Sequence, residues 1–294
     1  MTATRHPVRE LGLLVEPLAA GVYFAPEAHQ AYAQLAALED FWAPYYASRG
    51  ASLGATTPGA VAAAFGVFNP EHIASGLEVA WAAATPAQWW EARVAGATAQ
   101  LERLLGPDPA GARRATDLLR RIADSSMVAG HPFFAGLRDQ AWPGSLLGDL
   151  WHAADLVREH RGDTHTAAWV AAGFTAPELM MLTELWWGLP HGLYLATRHW
   201  SPAAIEDGLE ALRASGLVDG DPPAVTPTGI TRRVALEHAT DDAEAHVLDA
   251  LDDGEIEELF GILRPLSATI CAGGGYPVNP AERTLPGLDE VAPT

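Results

Sequence analysis

"LEALRASGLVDGDPPAVTPTGITRRVALEHATDD", residues 209–242, decides the fold. Leu209 and Leu212 have helical spacing, and Gly216 ends that helix. "LVDGDPPAVTPTG" (217–229) then gives two short extended pieces around a Gly/Pro turn, and "ITRRVALEHATDDAEAHVLDAL" (230–251) is a long helix. Working backwards, Ser201 and Pro202 open the helix that runs into the quoted stretch. Thr175 and Glu178, three apart, form a capping box for another helix, and Asp163 is placed to cap one over 164–172 that stops at Gly173. From residue 164 the order is therefore helix, helix, helix, hairpin, helix.

That is the order of a winged helix. Upstream, large apolar residues recur at spacings of 3 and 4, and the predicted fold class is all-α. Helices are expected over 26–38, in "TTPGAVAAAFGVFNP" and the segment after it with Thr57 and Asn69 as caps, from Thr85 and Pro86 to Gly106, and through 110–130. "YYASRGASLGATTPG" (45–59) and "GHPFFAGLRDQAWPGSLLGD" (130–149) read as loops. The expected organisation is a helical region over 1–150, a winged-helix region over 151–270 and a tail over 271–294.

The stretch around 209–242, with "YYASRGASLG", "FNP" and "LWHAADLVREHRGDTH", carries a resemblance. The quoted stretch resembles MarR-like winged-helix proteins, and residues 10–280 resemble an actinobacterial family of helix-turn-helix proteins. The resemblance implies the fold and a homodimer built through helices at the chain ends. It brings no activity with it.

Composition excludes more than it assigns. All 18 basic residues are arginine, so pyridoxal-phosphate Schiff bases, Walker-type P-loops and a kinase lysine are excluded. The single Cys271 excludes a disulfide framework within the chain, a Cys-rich zinc site and an iron–sulfur cluster. No apolar run reaches membrane-span length and no signal peptide is visible, so the expected location is cytoplasmic. The net charge of -19 opposes nucleic acid. Residues 201–264 hold 15 acids against 4 arginines, and the helix expected in the DNA groove offers Glu206, Asp207 and Glu210. DNA is thus disfavoured as a partner.

The chemistry-bearing stretch is "LVREHRGDTHTAAW" (156–169). The helix before it sets His152, Asp155 and Glu159 along one edge, and a turn at Gly162 is expected to crowd His160, Arg161, Asp163 and His165 between two helix ends. Three readings stand open: a salt-bridged helix junction, an acid/base site, or a His/carboxylate metal site. In the second, Glu159, His160, Asp163 and His165 are the catalytic candidates, and Arg161 holds an anionic group. In the third, His152, His160 and His165 are the ligands. Tyr46 and Arg49 in the first loop and His131 in the second are candidate substrate contacts. The adjacent pairs Trp89/Trp90 and Trp186/Trp187 cannot both face one core, so one of each faces a partner, a second layer or a cavity.

Two functions follow. One is a small-molecule enzyme of specialised metabolism working through the 152–165 cluster. The alternative is a ligand-responsive MarR-like transcriptional regulator or a non-catalytic ligand-binding protein.

Overall fold

The computed structural model describes residues 6–280 and 285–288. Proline opens most of its helices. The chain forms α1 (Pro7–Ala20), α2 (Pro26–Leu35), α3 (Trp42–Gly50), α4 (Pro58–Phe65), α5 (Pro70–Ala83), α6 (Pro86–Leu105), α7 (Ala112–Ser125) and α8 (Pro132–Arg138). It continues through α9 (Leu146–Ala171), α10 (Ala176–Trp186), α11 (Leu193–Ala196) and α12 (Pro202–Ala214) to strands β1 (Val218–Asp219) and β2 (Ala224–Val225). Helices α13 (Pro227–Glu244) and α14 (Asp253–Ala272) follow. A first-turn proline costs no hydrogen bond, because that N–H has no partner within the helix. The side chains of Thr57, Asn69, Thr85, Thr175 and Ser201 cap their helices as the sequence led us to expect, Thr85 and Thr175 with full capping boxes.

Three expectations need correction. The two stretches read as loops contain most of α3 and all of α8. Glycine, serine and proline argued against helix there, but tertiary burial of Tyr46, Ala47, Phe133 and Phe134 outweighs local preference. The third concerns α9, which runs unbroken for 26 residues. There is no turn at Gly162, and the boundary expected at residue 150 falls inside this helix.

Helix α9 is the central element. It packs against α1, α6, α7, α8 and α13, and buried residues line it nearly all round. A helix enclosed this way must satisfy its polar side chains inside the protein. That requirement builds the clusters described below.

One core joins α1–α9 to residues 247–270, including Val15, Leu18, Trp89, Trp151, Leu259 and Leu263. Trp89 and Trp90 are both buried in it, on different layers: Trp89 lies against Tyr32 of α2, and Trp90 against Trp151 of α9. The chain ends meet within one molecule, where Leu11, Leu14, Leu259 and Leu263 share this core and Arg264 Nη2 pairs with Glu10 Oε1 at 2.6 Å.

A second cluster gathers Met181, Leu182, Leu195, Leu209, Leu212 and Val218 from α10, α11, α12 and β1. The hairpin is antiparallel, with Val218 opposite Val225. Trp169, Leu179 and Leu236 tie α9, α10 and α13 together. Among the described residues no helix is long and apolar enough to cross a membrane.

Candidate functional site

The charged residues of α9 point to different neighbours rather than into one junction. Toward the first core, Glu159 is gripped by two arginines. Arg49 Nε and Nη2 donate to its two carboxylate oxygens at 3.0 and 2.8 Å, and Arg158 Nη1 adds a bond at 2.8 Å. The Arg49 guanidinium sits between the rings of Phe65 and Phe133, at 4.7 and 4.4 Å. Arg158 also binds Glu16, and Arg93 Nη2 pairs with Asp155 at 3.1 Å. Burial alone would raise the Glu159 pKa, but Arg49 and Arg158 override it and hold the carboxyl at about 2. A carboxylate so held takes no proton near neutral pH.

Toward α13, His160 Nδ1 lies 2.8 Å from Glu244 Oε1, so that nitrogen carries the proton and donates. Its Nε2 is buried without a hydrogen-bond partner. The His131 ring stacks on it at 3.9 Å and 9°. Thr164 Oγ1 donates to Glu244 and lies 2.9 Å from His131 Nε2, while His131 Nδ1 donates to the Ala129 carbonyl at 2.9 Å. Burial, and then His160, lowers the His131 pKa.

Asp163 lies inside α9 and starts no helix of its own; it serves instead the first turn of α8. It accepts the N–H of Phe134 at 3.1 Å, and burial pushes its pKa up to about 7 against that bond. Because the fold favours the neutral form, this group's contribution to stability is complete below its ordinary value of 3.8 and is lost as pH rises through about 7. Asp163→Asn keeps a neutral acceptor. Its stability relative to wild type should climb between pH 4 and 7 and level off above, by on the order of 3 kcal/mol. Urea unfolding at pH 5 and pH 8 checks this, and a difference independent of pH would contradict it.

The metal set expected from the sequence does not converge. His152 lies among Trp90, Trp142 and Trp151, with neither ring nitrogen hydrogen-bonded, and burial lowers its pKa to about 4. His165 Nδ1 faces Thr240 Oγ1 at 3.0 Å, and burial lowers its pKa likewise to about 4. Among the described residues it is His131, His160 and Glu244 that bring one ligand atom each within 4.8 Å of one another. Imidazole lone pairs lie in the ring plane, so the two stacked rings aim theirs side by side rather than at one point. An ion there requires His131 to turn.

Arg161 pairs with Asp241 at 2.8 Å, and Tyr46 Oη lies 3.0 Å from His72 Nδ1. Neither lines the hollow beside α2 and α3. This hollow of about 220 Å³ lies between α2, the segment 36–41 and the start of α3, walled by Tyr23, Tyr32, Leu38, Phe41, Pro44 and Tyr45. Sequence reading missed it. Its one local sign is the aromatic run Phe41, Trp42, Tyr45, Tyr46.

Beside the cavity, α3 touches the C-terminal half. Next to Phe41, Trp42 packs edge-on against His199 at 4.6 Å. His199 stacks on His72 at 3.5 Å in the turn before α12. Asn69 N–H donates to the Arg198 carbonyl and its side chain to the His199 carbonyl, both at 3.0 Å. Trp200 Nε1 donates to the Val67 carbonyl at 2.9 Å. A helical body with an aromatic hollow is thus joined to α10–α13, a compact set of helices with a hairpin, and the class this defines is a mainly helical protein. The chain belongs to the Helix-turn-helix family, whose model matches residues 8–277. No curated protein and no solved structure matches it.

Proposed function

We propose that this protein is a ligand-responsive regulator of the helix-turn-helix family, acting in the cytoplasm, with α10–α13 and the hairpin forming a MarR-like winged helix. One observation carries the reading: the residue that walls the hollow, Phe41, adjoins Trp42, which packs on the turn leading into α12. A ligand that moves the start of α3 acts on Trp42 and His199 together. The aromatic stack passes such a shift on, because His199 lies in contact with both His72 and Trp42. Such coupling needs no catalysis.

A second reading is favoured by charge. The exposed face of α12 carries Glu206, Asp207 and Glu210, and its one arginine, Arg213, donates to the Gly220 carbonyl at 3.0 Å. Asp219 and Asp221 are exposed on the hairpin. These carboxylates repel phosphate and favour a non-catalytic ligand-binding protein whose helix-turn-helix serves as a packing scaffold. Retardation of the DNA upstream of its own gene separates the two. The regulator gives a complex at low salt that weakens steeply as salt rises, and the scaffold gives none.

A further inference from the structure

The hollow also specifies the charge of its occupant. The hydroxyls of Tyr23 and Tyr45 are turned to the buried ion cluster, where they accept from Arg93 Nη2 at 3.1 Å and Arg49 Nη1 at 3.4 Å. Their polar ends are engaged, so the two tyrosines offer the cavity chiefly aromatic carbon. Tyr45 and Phe41 lie nearly parallel at 6.0 Å, and Tyr23 meets Tyr45 edge-on at 5.0 Å. The charged groups of the lining are Glu39 and Asp40, both exposed at the mouth. Asp40 is fixed there by accepting the N–H groups of Trp42 and Ala43 at 3.1 and 2.9 Å.

No arginine lines the cavity. Arg49, Arg93 and Arg158 lie behind the tyrosines, each paired with a carboxylate: Glu159, Asp155 and Glu16. His29 is the lining's one basic side chain. Its Nε2 donates to the Tyr23 carbonyl at 3.0 Å and its ring meets Phe41 edge-on at 5.5 Å. Phe41 stays 42% exposed at the rim, an apolar side chain left open to solvent beside two carboxylates.

Aromatic faces carry negative partial charge and attract cations, most of all those that cannot be satisfied by hydrogen bonding. The Tyr23 ring already carries the Arg93 and Arg158 guanidinium groups, at 4.8 and 5.6 Å, so it closes the back of the hollow. We propose that the hollow binds a small organic ammonium ion with apolar substituents, its charged head against the rings of Phe41 and Tyr45 and under Glu39 and Asp40. The volume of about 220 Å³ is below that of drug-sized sites and suits a small ligand. A chain of net charge -19 draws such a cation toward it. The inference rests on the ligand-binding part of the proposed function and gives that ligand its chemistry.

Titration calorimetry of the full chain with three probes of one shape tests it: choline, the uncharged 3,3-dimethylbutan-1-ol, and the anionic 3,3-dimethylbutanoate. Choline should bind at least about tenfold more tightly than the alcohol, with the carboxylate weakest. Phe41→Ala should weaken choline about tenfold, and Glu39→Gln about threefold with a flatter salt dependence. Both side chains are exposed, so both variants fold. If the alcohol or the carboxylate binds as well as choline and Phe41→Ala still removes it, the cation assignment is overturned while the ligand pocket stands. If none of the three binds saturably, both fall.

Discussion

Glu159→Gln should lower the melting temperature by about 10 °C, the largest loss expected from any single polar substitution here. The carboxylate is 2% exposed and holds Arg49 in a two-pronged pair and Arg158 through a third bond. An amide of the same shape removes the charge and leaves two guanidinium groups inside the protein with their compensation cut. Breaking a buried pair from one side costs about 3–5 kcal/mol, because the partner's desolvation is no longer offset. The variant should unfold at correspondingly lower urea, whereas Glu258→Gln, on an exposed pair with Arg114, should change stability by less than about 1 kcal/mol. Equal effects from the two would show that the α9 cluster carries no special weight.

Gly229→Ala should have a loss of similar size in a different place. A Cβ there would lie 2.1 Å from the Leu217 carbonyl oxygen and 2.7 Å from Val225 Cγ2. The carbonyl cannot yield, because it accepts the Thr226 N–H at 3.0 Å and is held within the hairpin that opens α13. Overpacking of backbone against backbone costs about 3 kcal/mol. The damage should stay local to the second cluster, around Leu212, Leu217 and Val218, and to the start of α13. Hydrogen exchange reads this directly: protection falls across 209–236 and is kept in α6 and α9. Uniform loss along the chain would mean that the two cores unfold as one.

Much of the fold is legible in residues. Thr57, Asn69, Thr85, Thr175 and Ser201 cap where their spacing to the following proline says they should, and the hairpin around Gly220 and Pro222 forms where the quoted stretch sets it. These signals are local, so one chain suffices to read them. The continuity of α9 is not local. "HRGDTH" has the polarity of a turn, and Gly162 lowers helix preference by about 1 kcal/mol. The stretch is helical because Arg49, Asp241 and Glu244, far away in sequence, receive its charges inside the protein.

The site shows the same division. Glu159, His160, Asp163 and Arg49 are conspicuous as polar groups in an apolar chain, and all four take part in the buried contacts that α9 organises. Their partners follow no spacing rule: Glu244 lies 84 residues from His160, and Arg49 lies 110 from Glu159. The hollow at Phe41 depends on how α2 and α3 approach each other. No pattern within either helix encodes that.

The central claim is tested most directly by electrophoretic retardation of the DNA upstream of the protein's own gene at low salt, with wild type run beside Gly229→Ala. The account predicts a salt-sensitive complex for wild type and a weakened one for Gly229→Ala, which loosens α12, the hairpin and α13 while the helical body keeps its protection. No wild-type complex at any low-salt condition would contradict the regulator and leave the acidic α12 face as the mark of a scaffold.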